Sequence, residues 1–246
     1  MTQDQLKALR RNGKMAVNPK PVLQIAERER GVYATAQQKF AGSGQITTPG
    51  FLRMEQRIIK GKTKYIFKVT RDSNSDSETE QKLEMNDKFM ASQIGLFLIH
   101  RDENIVGAEV LCTFPDPTVF PVISGVSNPA HLEAIYNGKF SVVVGQTKYL
   151  EALDVRRFRC VPNQQAVVEV LSNDTPPVKL IPAMLSEQHE NSGFINLTPQ
   201  IIFDGSAKNE IAIEIPVNAN HEIITNVANH NYYMVMIMRG FLGTNR

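Results

Sequence analysis

The sequence predicts an all-β protein of about ten short antiparallel strands, with one short inserted helix and a partly helical N-terminal arm. Three observations carry this reading. Short apolar runs recur between turns rich in Pro, Gly, Asn and Asp along residues 51–246. Several of those runs alternate apolar and polar residues with the period of two that a half-buried strand requires. The strand–helix alternation of a parallel nucleotide-binding sheet is missing. Together they point to an antiparallel β-sandwich or jelly roll.

Residues 1–50 read as an arm ahead of that body. Asp4 is placed to cap a short helix holding Leu6, Ala8 and Leu9, ended by Asn12-Gly13. Asn18-Pro19-Lys20-Pro21 breaks the chain, and Pro21 suits the first turn of a helix running to about Arg30 and stopped by Gly31. Thr35–Lys39 is polar and leads into a hinge at Gly42-Ser43-Gly44. With so little apolar surface the arm is expected to lie on the body, on a neighbouring subunit or on an anionic partner.

From Phe51 the pattern becomes strand-like. Phe51–Lys60 and Thr63–Thr70 flank Gly61-Lys62 as a hairpin. In the second strand Tyr65, Phe67 and Val69 alternate with Lys64, Ile66 and Lys68, one apolar face against one basic face. Arg71–Gln81 reads as a solvated acidic loop. Gln93–His100 and Ile105–Phe114 read as core strands around the turn Arg101-Asp102-Glu103-Asn104, and Pro115, Pro117 and Pro121 then forbid a central strand. The inserted helix is Pro129–Asn137, with Asn128 as N-cap, Leu132, Ile135 and Tyr136 as its buried stripe and Gly138 as its stop. Strands are expected over Phe140–Val144, Val155–Val161, Ala166–Leu171, Val178–Leu185, Phe194–Phe203 and Glu210–Ile215. Tyr232–Leu242 is an almost unbroken apolar run, the mark of a strand buried on both faces.

Composition narrows the function classes. Hydrophobic residues at 42% and charged residues at 21% describe a chain that folds rather than one that stays disordered. The chain has no apolar stretch long enough to span a bilayer, and Met1–Asn12 is polar where a secretory signal would be apolar, so no membrane span and no signal-peptide secretion are expected. Cys112 and Cys160 both lie in apolar stretches and read as buried free thiols. Trp is absent, which argues against a sugar-stacking face.

Motifs for chemistry are sought and not found. Gly61-Lys62-Thr63 ends like a phosphate-binding loop, but Gln56 stands where its first glycine belongs. Asp72-Ser73-Asn74-Ser75-Asp76-Ser77-Glu78 spaces oxygens as a calcium loop does, yet Ser77 replaces the required glycine and Leu83 the closing glutamate. None of His100, His131, His189, His221 and His230 forms a metal-ligand pair, and no serine sits in a nucleophile elbow. The reading is therefore of a non-enzyme with no cofactor and no metal. Arg156-Arg157-Phe158-Arg159 remains as an anion contact through Arg156, Arg157 and Arg159, or as a strand edge kept soluble by charge.

Charge is divided unevenly. Residues 1–71 carry a net +11 and residues 72–246 a net −9, which cancel to +2. Lys7, Arg10, Arg11, Lys14, Arg28 and Arg30 in the arm are the candidates for contact with nucleic acid or with a neighbouring subunit, since such a segment neutralises phosphates without reading sequence.

An all-β body without a site, a basic hinged arm and long Pro- and Asn/Gly-rich connections give residues 51–242 a general character that resembles the jelly-roll capsid proteins of icosahedral viruses and phages. The resemblance is architectural. It implies a homo-oligomer, a trimer or pentamer, assembled into a shell around genomic nucleic acid in the host cytoplasm and located in the virion. The alternative is a non-enzymatic nucleic-acid- or ligand-binding β-module whose face is the basic hairpin of Arg57, Lys60, Lys62, Lys64 and Lys68, with Tyr65 or Phe67 stacking on bases.

Overall fold

A computed structural model of the chain describes residues 21–42, 44–72, 78–107, 109–120, 122–123, 126–161, 165–168, 180–183, 193–216 and 228–244. The elements run α1 (Pro21–Ala41), β1 (Ile46–Arg57), β2 (Lys64–Lys68), β3 (Lys88–Asp102), β4 (Val122–Ile123), β5 (Val126–Ser127) and α2 (Asn128–Glu133). A 3-10 turn over Ala134–Asn137 leads to β6 (Lys139–Val144) and β7 (Thr147–Asp154), and a second covers Val155–Phe158. Then come β8 (Gln165–Val168), β9 (Leu180–Ala183), β10 (Phe194–Asp204), β11 (Asn209–Glu214) and β12 (His230–Thr244).

The strands form two antiparallel four-stranded sheets. The first has the order β1-β12-β3-β10, the second β2-β11-β6-β7, and β4-β5 and β8-β9 are separate two-stranded ribbons. The expected all-β, sandwich-like architecture holds. Alternation explains how the sheets meet: Tyr65 and Phe67 of β2, Phe140 and Val142 of β6 and Ile211 and Ile213 of β11 turn inward. They join Leu52 and Met54 of β1, Leu96 and Leu98 of β3 and Met234 and Met236 of β12 in one core.

The first sheet is buried on its other face as well. Val32, Ala36 and Phe40 recur every fourth residue on α1 and pack on Met90, Ile202 and Phe241. Farther along the same face Phe97, Ile99 and Val235 form a third buried cluster. β12, paired with β1 on one side and β3 on the other, is the central two-sided strand that its apolar run predicts.

Five local expectations are corrected. The helix is not stopped at Gly31 but runs to Ala41, because Gly31 lies on its solvent side while Val32, Ala36 and Phe40 hold the following turns on the sheet. Phe51–Lys60 and Thr63–Thr70 are not a hairpin: β1 pairs β12 in one sheet and β2 pairs β11 in the other. Between them the chain turns at Gly61 (φ 79°) and is pinned where Tyr65 Oη donates to the Ile59 carbonyl at 3.2 Å. Ile105–Phe114 is a loop joined to β3 by one bridge, Leu98–Cys112. Val155–Phe158 is a 3-10 turn, not a strand. Ser127, not Asn128, is the N-cap of α2, and buried Asn128 instead donates to Tyr232 Oη at 3.0 Å. Beyond these, β1 begins at Ile46, ahead of Phe51.

Candidate assembly and anion-contact surfaces

Of the six arm cations, Lys7, Arg10, Arg11 and Lys14 lie outside the described residues. Arg28 and Arg30 sit on α1, where the helical period separates them. Arg28 is four residues before Val32 and extends the docking seam, its Nη2 reaching the Ser92 carbonyl at 3.5 Å. Arg30 points to water.

The arginine triplet sits on and just after the second 3-10 turn. Asp154 caps that turn by accepting from the Arg156 N–H at 2.9 Å. Arg156 Nε and Nη2 donate to Asn137 Oδ1 at 3.1 and 2.8 Å, and Arg159 Nε pairs with Glu133 Oε1 at 2.5 Å. Both brace the turn against the end of α2. Arg157 stays exposed, so one guanidinium of the three is presented outward.

Sequence reasoning places Arg101 in a solvent turn, whereas it is the most buried charge of the first sheet at 2% exposure. Nη1 lies 2.7 Å from Glu55 Oε2, Nε pairs with Glu109 Oε1, Nη2 donates to Thr79 Oγ1 at 3.1 Å, and the guanidinium sits 4.6 Å from the Tyr233 ring centroid. Arg53 pairs with the other Glu55 oxygen at 2.8 Å. Burial disfavours the charges, but the opposed signs outweigh it: the pKa of Arg101 is raised and that of Glu109 lowered. The period of two, counted back from Tyr233 and Val235 through the β3–β12 register, is the signal that places Arg101 on this covered face.

Beside it two histidines meet. The His100 and His230 rings are 5.1 Å apart, and His230 Nε2 is 3.8 Å from Asp102 Oδ2. Burial, then His230, push the His100 pKa down, against the Val119 carbonyl and Asp102. Cys112 is buried and Cys160 half-buried, both free, and burial pushes the Cys112 thiol up to about 11, where it is not a nucleophile at neutral pH. Among the described residues no group of three His, Cys, Asp or Glu side chains is placed to hold a metal ion.

The second sheet shows water a charge ladder instead. Lys64 pairs with Glu214 at 2.8 Å, Lys68 with Asp72 at 3.2 Å, and Lys148 with Glu151 at 3.0 Å. Tyr65 and Phe67 are fully buried and have no face to offer a base. A depression of about 320 Å³ is lined by Glu55, Gln56, Ile66, Lys68, Glu80 and Lys82, with Lys82 and Glu80 paired at 2.9 Å. No α-helix among the described residues is long and apolar enough to cross a membrane. No protein-family model, no curated protein and no solved structure matches the chain.

Proposed function

We propose that this chain is a shell-forming structural subunit, a capsid-type protein of a virus or phage, whose sandwich is an eight-stranded jelly roll with two inserted ribbons. The strand order carries the reading. With the ribbons β4-β5 and β8-β9 set aside, the pairs β1–β12, β2–β11, β3–β10 and β6–β7 are nested, first strand with last and inward to a hairpin. A ribbon of such pairs rolled over itself is a jelly roll, the architecture shared by viral shells, lectins and cupins. The chain lacks the histidine pairs of a cupin and the tryptophans on which sugar sites lean.

The role is self-association with the basic arm turned toward genomic nucleic acid or a neighbour, through Lys7, Arg10, Arg11, Lys14 and the exposed Arg30. No catalysis and no cofactor enter it. The binding-module alternative has less support, because its stacking rings are buried and Lys64 and Lys68 are neutralised within the chain. Light scattering on the purified chain at low and high salt tests the proposal. A defined oligomer or larger particle, loosened by salt if the arm contributes, is expected. A monomer of 27.6 kDa at every salt and protein concentration overturns it.

A further inference from the structure

We infer that the corner built from residues 105–107, 109–111 and Val161 is a contact surface for a second copy of this chain, the two copies related by a two-fold axis. The inference rests on the self-assembly reading and deepens it by naming where copies meet. Connecting loops are ordinarily polar, and exposed aliphatic residues gathered in one mark an interaction site. Here Ile105, Val106, Val110 and Leu111 are 63%, 41%, 65% and 39% exposed, and Val161 is 46% exposed. The Cys160 N–H donates to the Thr113 carbonyl at 3.3 Å, which brings the chain just before Val161 alongside the limb that follows Leu111. Together the five leave on the order of 400 Å² of apolar surface in water, about half of the roughly 800 Å² that one partner of a standard interface buries.

The corner is also preorganised. Leu98 and Cys112 exchange both backbone hydrogen bonds, at 2.7 and 2.9 Å, which fixes the outgoing limb against β3. The Ile105 N–H donates to the Asp102 carbonyl at 3.0 Å, which starts the turn. Glu109 accepts from the Gly107 N–H at 3.0 Å and pairs with buried Arg101, so the loop is anchored from beneath by a charge. Such an anchor fixes geometry rather than adding stability, and a fixed apolar surface binds without an ordering cost.

The rim selects the occupant. Next to Ile105 in the chain lie Asp102 and Glu103, half-exposed; shortly before Val161 lies exposed Arg157. An apolar strip with an acidic end and a basic end is complementary to itself when turned through 180°, Arg157 of each copy meeting the acidic end of the other. An aliphatic surface offers no donors to a phosphate backbone.

The test uses the full chain, with light scattering and amide hydrogen exchange at low and high protein concentration. Association is expected, with protection over residues 102–113 that grows with concentration. Val110→Asp should raise the concentration needed for association about tenfold with the melting temperature unchanged, and Arg157→Glu should raise it less and only at low salt. If Val110→Asp fails to fold, the isosteric Val110→Thr replaces it, expected to weaken association several-fold. Association with unaltered exchange over 102–113, or undiminished by these variants, overturns the inference and leaves the shell reading standing. A dimer through this corner that never grows into a larger particle keeps the inference and sinks the shell reading. A chain monomeric throughout overturns both.

Discussion

The two sheets use opposite solutions for their outer faces. The second sheet leaves its face in water and covers it with crossed charges: Lys64 faces Glu214, Glu214 faces Lys139, and Glu210 lies between Lys68 and Val143 in register. The first sheet hides most of its outer face under α1 and the neighbouring loops, and keeps buried both a methionine and aromatic cluster and a full arginine–glutamate cluster. The burial patterns record the difference. β2 alternates strictly between exposed and buried, whereas β12 has Met234, Val235 and Met236 buried in succession. Charge that faces water tolerates change, and charge buried between a sheet and its loops does not.

The sharpest way to break this contrast is to remove one charge from each face. Arg101→Ala strands buried Glu109 without its cation and leaves Glu55 only Arg53, and a loss of about 3–5 kcal/mol in urea denaturation is expected. Lys64→Gln on the second sheet should leave the denaturation midpoint where it was. Equal losses would mean that the covered face is not special.

A smaller effect separates α1 from the sandwich. A Cβ on Gly243 would sit 2.9 Å from the Phe40 ring, at the point where the helix end meets β12. Gly243→Val is expected to cost roughly 1–3 kcal/mol by overpacking, and to raise amide exchange in α1 well above that in β12. Uniform acceleration in both would show that helix and sheet open as one unit.

The smallest effect depends on pH. His100 binds its proton less readily in the folded chain than in the unfolded one, because burial and His230 hold its pKa below the ordinary value. Stability should therefore be greatest above pH 6.5 and decline as pH falls through that unfolded value toward the folded one. His100→Phe, keeping the ring contact with Tyr232, should flatten the melting temperature between pH 7.5 and 5.5. An unchanged slope would assign the acid sensitivity to other groups.

What the sequence makes legible follows the same division. Where one face is wet, as in β2, β6 and β11, alternation reveals both the strand and its inward side, and Phe140, Val142, Ile211 and Ile213 are buried as that pattern requires. The stripe Leu132, Ile135, Tyr136 is legible for the same reason. The covered face is not, because its cover comes from residues distant in the chain. Gly31 looks like a helix stop until the sheet that holds Val32 and Phe40 is in place. Ile105–Phe114 looks like a core strand because exposed aliphatic residues in a loop obey no local rule. Arg101 looks like a turn residue because its counterions, Glu55 and Glu109, come from β1 and from the following loop. The hairpin reading of β1 and β2 fails similarly, since which sheet a strand joins is decided by partners more than a hundred residues away.

The position of β12 also sets an order of events during synthesis. It is made after every other strand of the sandwich, yet it lies in the middle of the first sheet, with β1 on one side and β3 on the other. Until its fifteen residues leave the ribosome, β1 has no ladder partner in its own sheet and β3 lacks the neighbour with which it pairs most extensively. Contacts of such long sequence separation form slowly, and they form last. The first sheet is thus completed only after β12 has been made, so a chain cut short of His230 exposes two unpaired strand edges to its surroundings.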